Sequence, residues 1–190
     1  MDTTFASTLL ARTMPRLDCR LRDLLLVIGG SVLVAAMAQV RIPLPFTPVP
    51  LTGQTFAVLL VGAALGSRRG ATSLLLYLGE GAIGLPVFAG GQSGLAYMSG
   101  ATGGYLVGFV GAAYLVGLLA GRGLDRRIPS ALLAFLVGEI VIYSFGVAWL
   151  SIYVGIQNAL TDGLLPFMVG DAIKLIAAAL ALPAAWKLVK

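Results

Sequence analysis

"GYLVGFVGAAYLVGLLAGRGLDRRIPSALLAFLVGEIVIYSFGVAWL", residues 104–150, decides the fold. Two apolar runs, 103–121 and 130–151, each come close to the roughly 20 residues that a helix needs to cross a bilayer. Arg122, Arg126 and Arg127 stand between them, as basic residues do where a chain turns at a membrane surface. Working outward, further apolar stretches lie near 24–40, 53–66, 71–87 and 167–186. The chain therefore reads as an all-α integral membrane protein: a compact bundle of six transmembrane helices over 24–190, preceded by a tail over 1–23. The stretch 53–66 is short, so its entry is expected to be irregular or shielded by protein.

Composition agrees. Hydrophobic residues make up 58% and charged residues 11% of the chain, and the mean hydropathy is +0.96, far from the range of soluble domains. There is no histidine and one cysteine, Cys19, which removes the usual zinc and haem ligand sets, an internal disulfide and every scheme that needs imidazole. No metal or cofactor is expected.

The basic residues set the orientation. Arg12, Arg16, Arg20 and Arg22 precede the first span, Arg68 and Arg69 separate the second and third, and Lys187 and Lys190 follow the sixth. With the three arginines of the opening stretch they fall on one side, which the positive-inside rule makes cytoplasmic, so both termini are expected there. Arg41 alone lies in an outer loop, and Lys174 lies within a span. The net charge of +5 thus reflects topology; no basic face with interleaved aromatics suggests nucleic acid. The start of the chain has the outline of a secretory signal, but cleavage after Ala38 would leave five spans and spoil the charge pattern. Residues 1–23 read instead as a cytoplasmic tail, a surface helix with its arginines near anionic lipid.

That topology puts two irregular segments outside. In "RIPLPFTPVPLTGQT", residues 41–55, four prolines forbid a continuous helix. "GLPVFAGGQSGLAYMSGATGGY", residues 84–105, is crowded with glycine. Such backbone near a bilayer is tolerated where it lines a cavity, so the two are expected to cap a pocket, the alternative being plain connectors. In the last span, "PFMVGDAIKLI" sets Asp171 and Lys174 three residues apart on one helix face. Ionisable groups at that depth face the bundle interior and mark a ligand or ion path, or else form a salt bridge that holds the helix. As a functional pair, the carboxylate accepts and the ammonium donates, which suits a ligand carrying N–H groups beside a carbonyl, such as a urea or lactam.

Glu80 and Glu139 are further acids in spans, with structural roles favoured. "GEGAIG", residues 79–84, matches a dinucleotide fingerprint by chance, since it sits inside an apolar span with no acid about 20 residues on. Gly62 with Gly66, Gly104 with Gly108 and Gly117 with Gly121 have the spacing that lets helices approach closely. The phosphate loop of an ATP motor is missing, as are a Ser-His protease, a supported carboxylate dyad and matched inverted repeats. These absences argue against an enzyme and for a binding protein within the membrane.

"PVPLTGQT", "LGSRRGATSLLLYL", "GAIGLPVFAGG", "GATGGYLVGF" and "GDAIK", in this order, resemble the BioY family, the biotin-binding S components of energy-coupling-factor (ECF) transporters. The resemblance covers roughly residues 30–185. It implies a six-helix bundle that captures biotin from outside and docks onto a transmembrane T subunit bearing two ATP-binding cassette ATPases. It also implies that Asp171 and Lys174 hold the ureido ring while Gln54, Gln92 and Tyr97 line or close the pocket. A stand-alone biotin carrier and an S component for another vitamin are the alternative functions. The chain departs from the family pattern at Gly53, Arg68, Ala101 and Val169, and in "GGQSG", where the family is richer in glycine. No basic residue occurs in residues 84–105, so the biotin carboxylate is left to Arg41 or to backbone N–H groups.

Gly90, Gly91 and Gly103 are expected to let the second loop approach a small ligand and move as a gate. Ser31 and Ala35 on the first span resemble the small-residue surface that S components present to the T subunit, with internal packing as the alternative.

Overall fold

The computed structural model describes residues 4–13 and 18–189; Arg16 and Lys190, counted above among the cytoplasmic charges, lie outside the described residues. The chain runs through α1 (Phe5–Thr13), α2 (Cys19–Gln39), a two-stranded hairpin of β1 (Arg41–Ile42) and β2 (Leu51–Thr52), α3 (Gln54–Leu65), α4 (Ser67–Ala82), α5 (Leu95–Met98), α6 (Gly103–Gly121), a 3₁₀ turn (Leu124–Arg126), α7 (Ile128–Val154), α8 (Ile156–Gly163) and α9 (Met168–Val189). Among the described residues the fold is all-helical apart from the antiparallel pairing of Arg41 with Thr52 and Ile42 with Leu51.

Four of these helices are long and apolar enough to cross a membrane: α2, α6, α7, and α9 as far as Lys187. The expected second and third spans differ. α3 has 12 residues and α4 has 16, so they rise about 18 and 24 Å against a hydrocarbon core of about 30 Å. Their ends have local causes. Gly66, at φ 85°, stops α3 by donating its N–H to the Gly62 carbonyl at 2.9 Å and starts α4 at once. α4 ends at Ala82, not near 87, because Gly84 takes φ 101° and Pro86 follows. α2 begins at Cys19, inside the stretch assigned to the tail.

α3 is short but lies inside the bundle, against α2, α4, α6 and α9. Ala57, Val58 and Leu59 are fully buried, and Gln54 and Leu65 at its two ends are buried as well, so protein, not lipid, covers it along its length. α6 is the other central helix, packed along α3, α4 and α7. Its glycines explain the close approach: a Cβ at Gly62 of α3 would stand 2.7 Å from the Ala113 carbonyl oxygen of α6. The outer faces stay apolar. Val32 on α2, Leu133 and Ile140 on α7, and Ile173 and Ile176 on α9 are all exposed, as suits a surface turned to hydrocarbon.

The two ends of the bundle are unlike. At one, Arg20 and Arg22 begin α2, Arg68 and Arg69 begin α4, Arg122, Arg126 and Arg127 join α6 to α7, and Lys187 closes α9. At the other lie the hairpin, residues 83–102, α8 and the first turns of α3, α6 and α9.

Candidate ligand-binding site

Two helix starts build the site. The prolines of residues 43–50 keep the first irregular segment extended, and the β1–β2 pairing returns it so that Thr52 leads directly into α3. From the other side, Pro166 and the buried Phe167 turn the chain into α9. Asp171 then falls in the first turn of α9, where the helix dipole favours a carboxylate.

Asp171 is 5% exposed, and an isolated carboxylate there would be several kcal/mol unfavourable. It is not isolated. Lys174 Nζ donates to Oδ1 at 2.6 Å, Thr55 donates its hydroxyl to the same oxygen at 3.1 Å, and the Tyr143 hydroxyl donates to Oδ2. The ammonium also donates to the Thr52 carbonyl at 2.5 Å and to Thr55 Oγ1 at 3.2 Å. Groups from β2, α3, α7 and α9 thus hold one charged pair in one orientation. The pair forms part of a cavity whose other walls include Leu106, Phe109, Ile142 and Phe167, with about 520 Å³ of atom-free space counting its mouth. An apolar slot with a converging acceptor and donor at one side suits a flat, uncharged polar head group.

A family model described as the BioY family matches residues 8–190. The chain belongs to the BioY family. It is 41% identical over 153 residues to the probable biotin transporter BioY of Pyrococcus horikoshii, covering 80% of this chain and 89% of that one. It is 38% identical over 168 residues to the biotin transporter BioY of Rhizobium etli, covering 84% and 90%. A crystal structure of the S-component for biotin from an ECF-type ABC transporter superposes with a TM-score of 0.79 at 27% identity, covering 88% of this chain and 92% of that one.

The BioY match spans the whole cavity lining, from Val49 to Lys174. Of the residues singled out in the sequence, Asp171, Lys174, Gln54 and Tyr97 all line this cavity. Gln54 is buried, donates its side-chain amide to Tyr77 Oη at 2.7 Å and accepts from the Thr52 hydroxyl at 3.1 Å. Tyr97 stacks on Phe88 at a ring separation of 5.3 Å, and Phe88 meets the edge of Tyr77 at 5.4 Å. Gln92 is elsewhere: it is exposed, its side chain is not part of the lining, and its backbone carbonyl accepts from the Phe88 N–H at 3.0 Å.

The glycines divide in the same way. Gly90 and Gly91 take φ 71° and 74° in a turn that only glycine adopts freely. Gly103 does not; it starts α6 where a Cβ would strike the Met98 carbonyl. Ser31, expected on a docking face, is instead fully buried and donates to Glu80 Oε2 at 2.5 Å. Its partner, the half-buried Glu80, lies in the last turn of α4. Ala35 is half-buried. Glu139 is buried, and neither carboxylate oxygen has a hydrogen-bond partner among the described residues.

Sequence reasoning did not find Thr52, Thr55, Tyr143 and Phe167, nor Gln39, which holds the loop. Gln39 donates its side-chain amide to the Phe88 carbonyl at 3.2 Å and accepts from the Gly91 N–H at 3.0 Å. The Arg41 guanidinium lies against Gly90, beside the cavity-lining Ala89. One signal was available: a tyrosine within an apolar span, such as Tyr143, needs a partner for its hydroxyl.

Proposed function

We propose that this chain captures biotin at the outer face of a prokaryotic cytoplasmic membrane and acts as the substrate-binding subunit of an ECF-type transporter. The observation that carries the reading is the Asp171–Lys174 pair, fixed by Thr55 and Tyr143 at the side of an apolar cavity. The ureido N–H groups donate to Asp171 and the ureido carbonyl accepts from Lys174, while the apolar walls take the fused ring and chain. Arg41, at the rim, meets the carboxylate. The names of the relatives and of the similar solved structure support biotin as the ligand.

In this reading α2, α3, α4, α6, α7 and α9 are the six spans, and residues 83–102 cap the cavity. The arginine-rich end and both termini face the cytoplasm, where a transmembrane T subunit and two ATPases join the complex. With Ser31 turned inward, Ala35 is what is left of the expected docking face. The chain performs no reaction on its ligand.

The test is mass spectrometry of the small molecule that co-purifies with wild type, Asp171→Asn and Lys174→Ala from biotin-replete cells. Biotin is expected with wild type and strongly reduced with both variants. A different bound molecule, or biotin undiminished in the variants, overturns the reading.

A further inference from the structure

At the arginine-rich end, α1, α2, α4 and α6 surround a cleft well apart from the Asp171 cavity. Among the described residues its lining brings together four guanidiniums, those of Arg22, Arg68, Arg69 and Arg122, against one carboxylate, Asp23. Asp23 pairs with Arg69 at 2.8 Å, while Arg68 and Arg122 add two exposed positive charges to the lining. Ordinary topological charges spread over a surface and are screened over about 10 Å. Here like charges share one concavity, an arrangement that a counter-anion stabilises. All four are arginines, whose planar forks match the oxygens of a phosphate.

The cleft is also placed for a lipid. On α2, Arg22 and Asp23 line it, while the next two residues, Leu24 and Leu25, are 54% and 47% exposed. The polar lining therefore ends where the lipid-facing surface begins. On α6 the wall is Tyr114 and Leu118, both exposed and apolar over most of their surface, one turn apart along the helix.

We propose that this cleft binds the phosphate of an anionic glycerophospholipid, with the guanidiniums of Arg68 and Arg122 on the headgroup and an acyl chain along Tyr114 and Leu118. The site needs an apolar tail as well as an anion, so free phosphate is not its ligand. Neither the capture of biotin nor the Asp171 pair enters this proposal.

The experiment titrates the full chain in neutral detergent with dioleoyl phosphatidylglycerol, dioleoyl phosphatidylcholine or inorganic phosphate, read by native mass spectrometry. Wild type is expected to hold phosphatidylglycerol, and inorganic phosphate is expected not to displace it. Arg68→Gln with Arg122→Gln weakens that binding about tenfold. Arg127→Gln with Lys187→Gln, which removes two exposed charges outside the cleft at the same end, leaves it unchanged. Equal retention of phosphatidylcholine, displacement by inorganic phosphate, or equal losses in the two double variants each overturns the proposal. Should the cleft variant fail to fold, the wild-type comparison of the three probes decides alone.

Discussion

Thr55 on α3 donates its hydroxyl to Asp171 on α9 across 3.1 Å while its oxygen accepts from Lys174. One hydroxyl therefore completes both members of the charged pair. Thr55→Val keeps the volume and removes the bridge, leaving a buried carboxylate oxygen and an ammonium each short of one partner. Losing a hydrogen bond to a charged group is worth about 1.5–3 kcal/mol, so biotin binding is expected to weaken tenfold or more, and Thr55→Ser to recover most of it. Isothermal titration of the purified protein measures this. Unchanged affinity in Thr55→Val would mean that the pair is oriented by α9 alone.

Arg41 pairs across the hairpin with Thr52, whose carbonyl holds Lys174. The residue proposed to meet the ligand's carboxylate is thus tied through Thr52 to the pair proposed to meet its ureido ring. Arg41→Ala is expected to lower affinity for biotin about tenfold and to leave affinity for the uncharged biotin amide unchanged. Competition of the two ligands in wild type and variant measures the selectivity. If the variant keeps the wild-type preference for biotin, the carboxylate is met by the loop's backbone instead.

The loop glycines are expected to separate into two classes. At Gly90 and Gly91, with φ near +70°, an alanine costs about 1–2 kcal/mol of backbone strain. Because the turn lies in a loop outside the packed helices, that strain appears as slower ligand exchange or weaker binding, with little change in melting temperature. Gly103→Ala drives a Cβ into the Met98 carbonyl at the start of α6, so it lowers the melting temperature as well. Stopped-flow exchange of labelled biotin and thermal unfolding distinguish the two. Wild-type kinetics in both Gly90→Ala and Gly91→Ala would rule out a moving loop.

What the sequence disclosed follows from what hydrocarbon enforces. Length and charge placement found α2, α6, α7 and α9, because a spanning helix must be long, apolar and flanked by cations on one side. α3 and α4 were harder: their ends are set by Gly66 and Gly84 at positive φ, and α3 can be short because its neighbours cover it. Asp171 and Lys174 were legible because three residues apart on a helix is a local fact. Thr55 and Tyr143 were not, since they come from 116 and 28 residues away and only packing brings them to Asp171. Ser31 shows a further limit. On a helix that meets lipid on one side and core on the other, both faces are apolar, so the sequence does not mark which one turns inward. Gln92 sits in a loop, where no periodicity fixes the direction of a side chain.

Asp125 supplies a pH dependence unrelated to the ligand. It lies in the 3₁₀ turn between α6 and α7, 2% exposed, and accepts from Trp186 Nε1 at Oδ2 at 2.5 Å, while Oδ1 has no hydrogen-bond partner among the described residues. Arg126 stacks over the same indole at 4.6 Å. Burial raises the carboxyl's pKa above its ordinary value; the bond from Trp186, the local backbone and Arg126 oppose that only in part. A raised pKa means that the folded state binds the proton more tightly than the unfolded one. The associated stability is present in full below the ordinary carboxylate value of about 3.9 and is lost as pH rises through the folded-state value. Mild acidification from neutral pH is therefore expected to raise the wild type's melting temperature relative to that of Asp125→Asn, which cannot titrate and keeps an acceptor for Trp186. Parallel melting curves of the two proteins at every pH between neutral and about 4 would show that the buried carboxyl does not govern this end of the bundle.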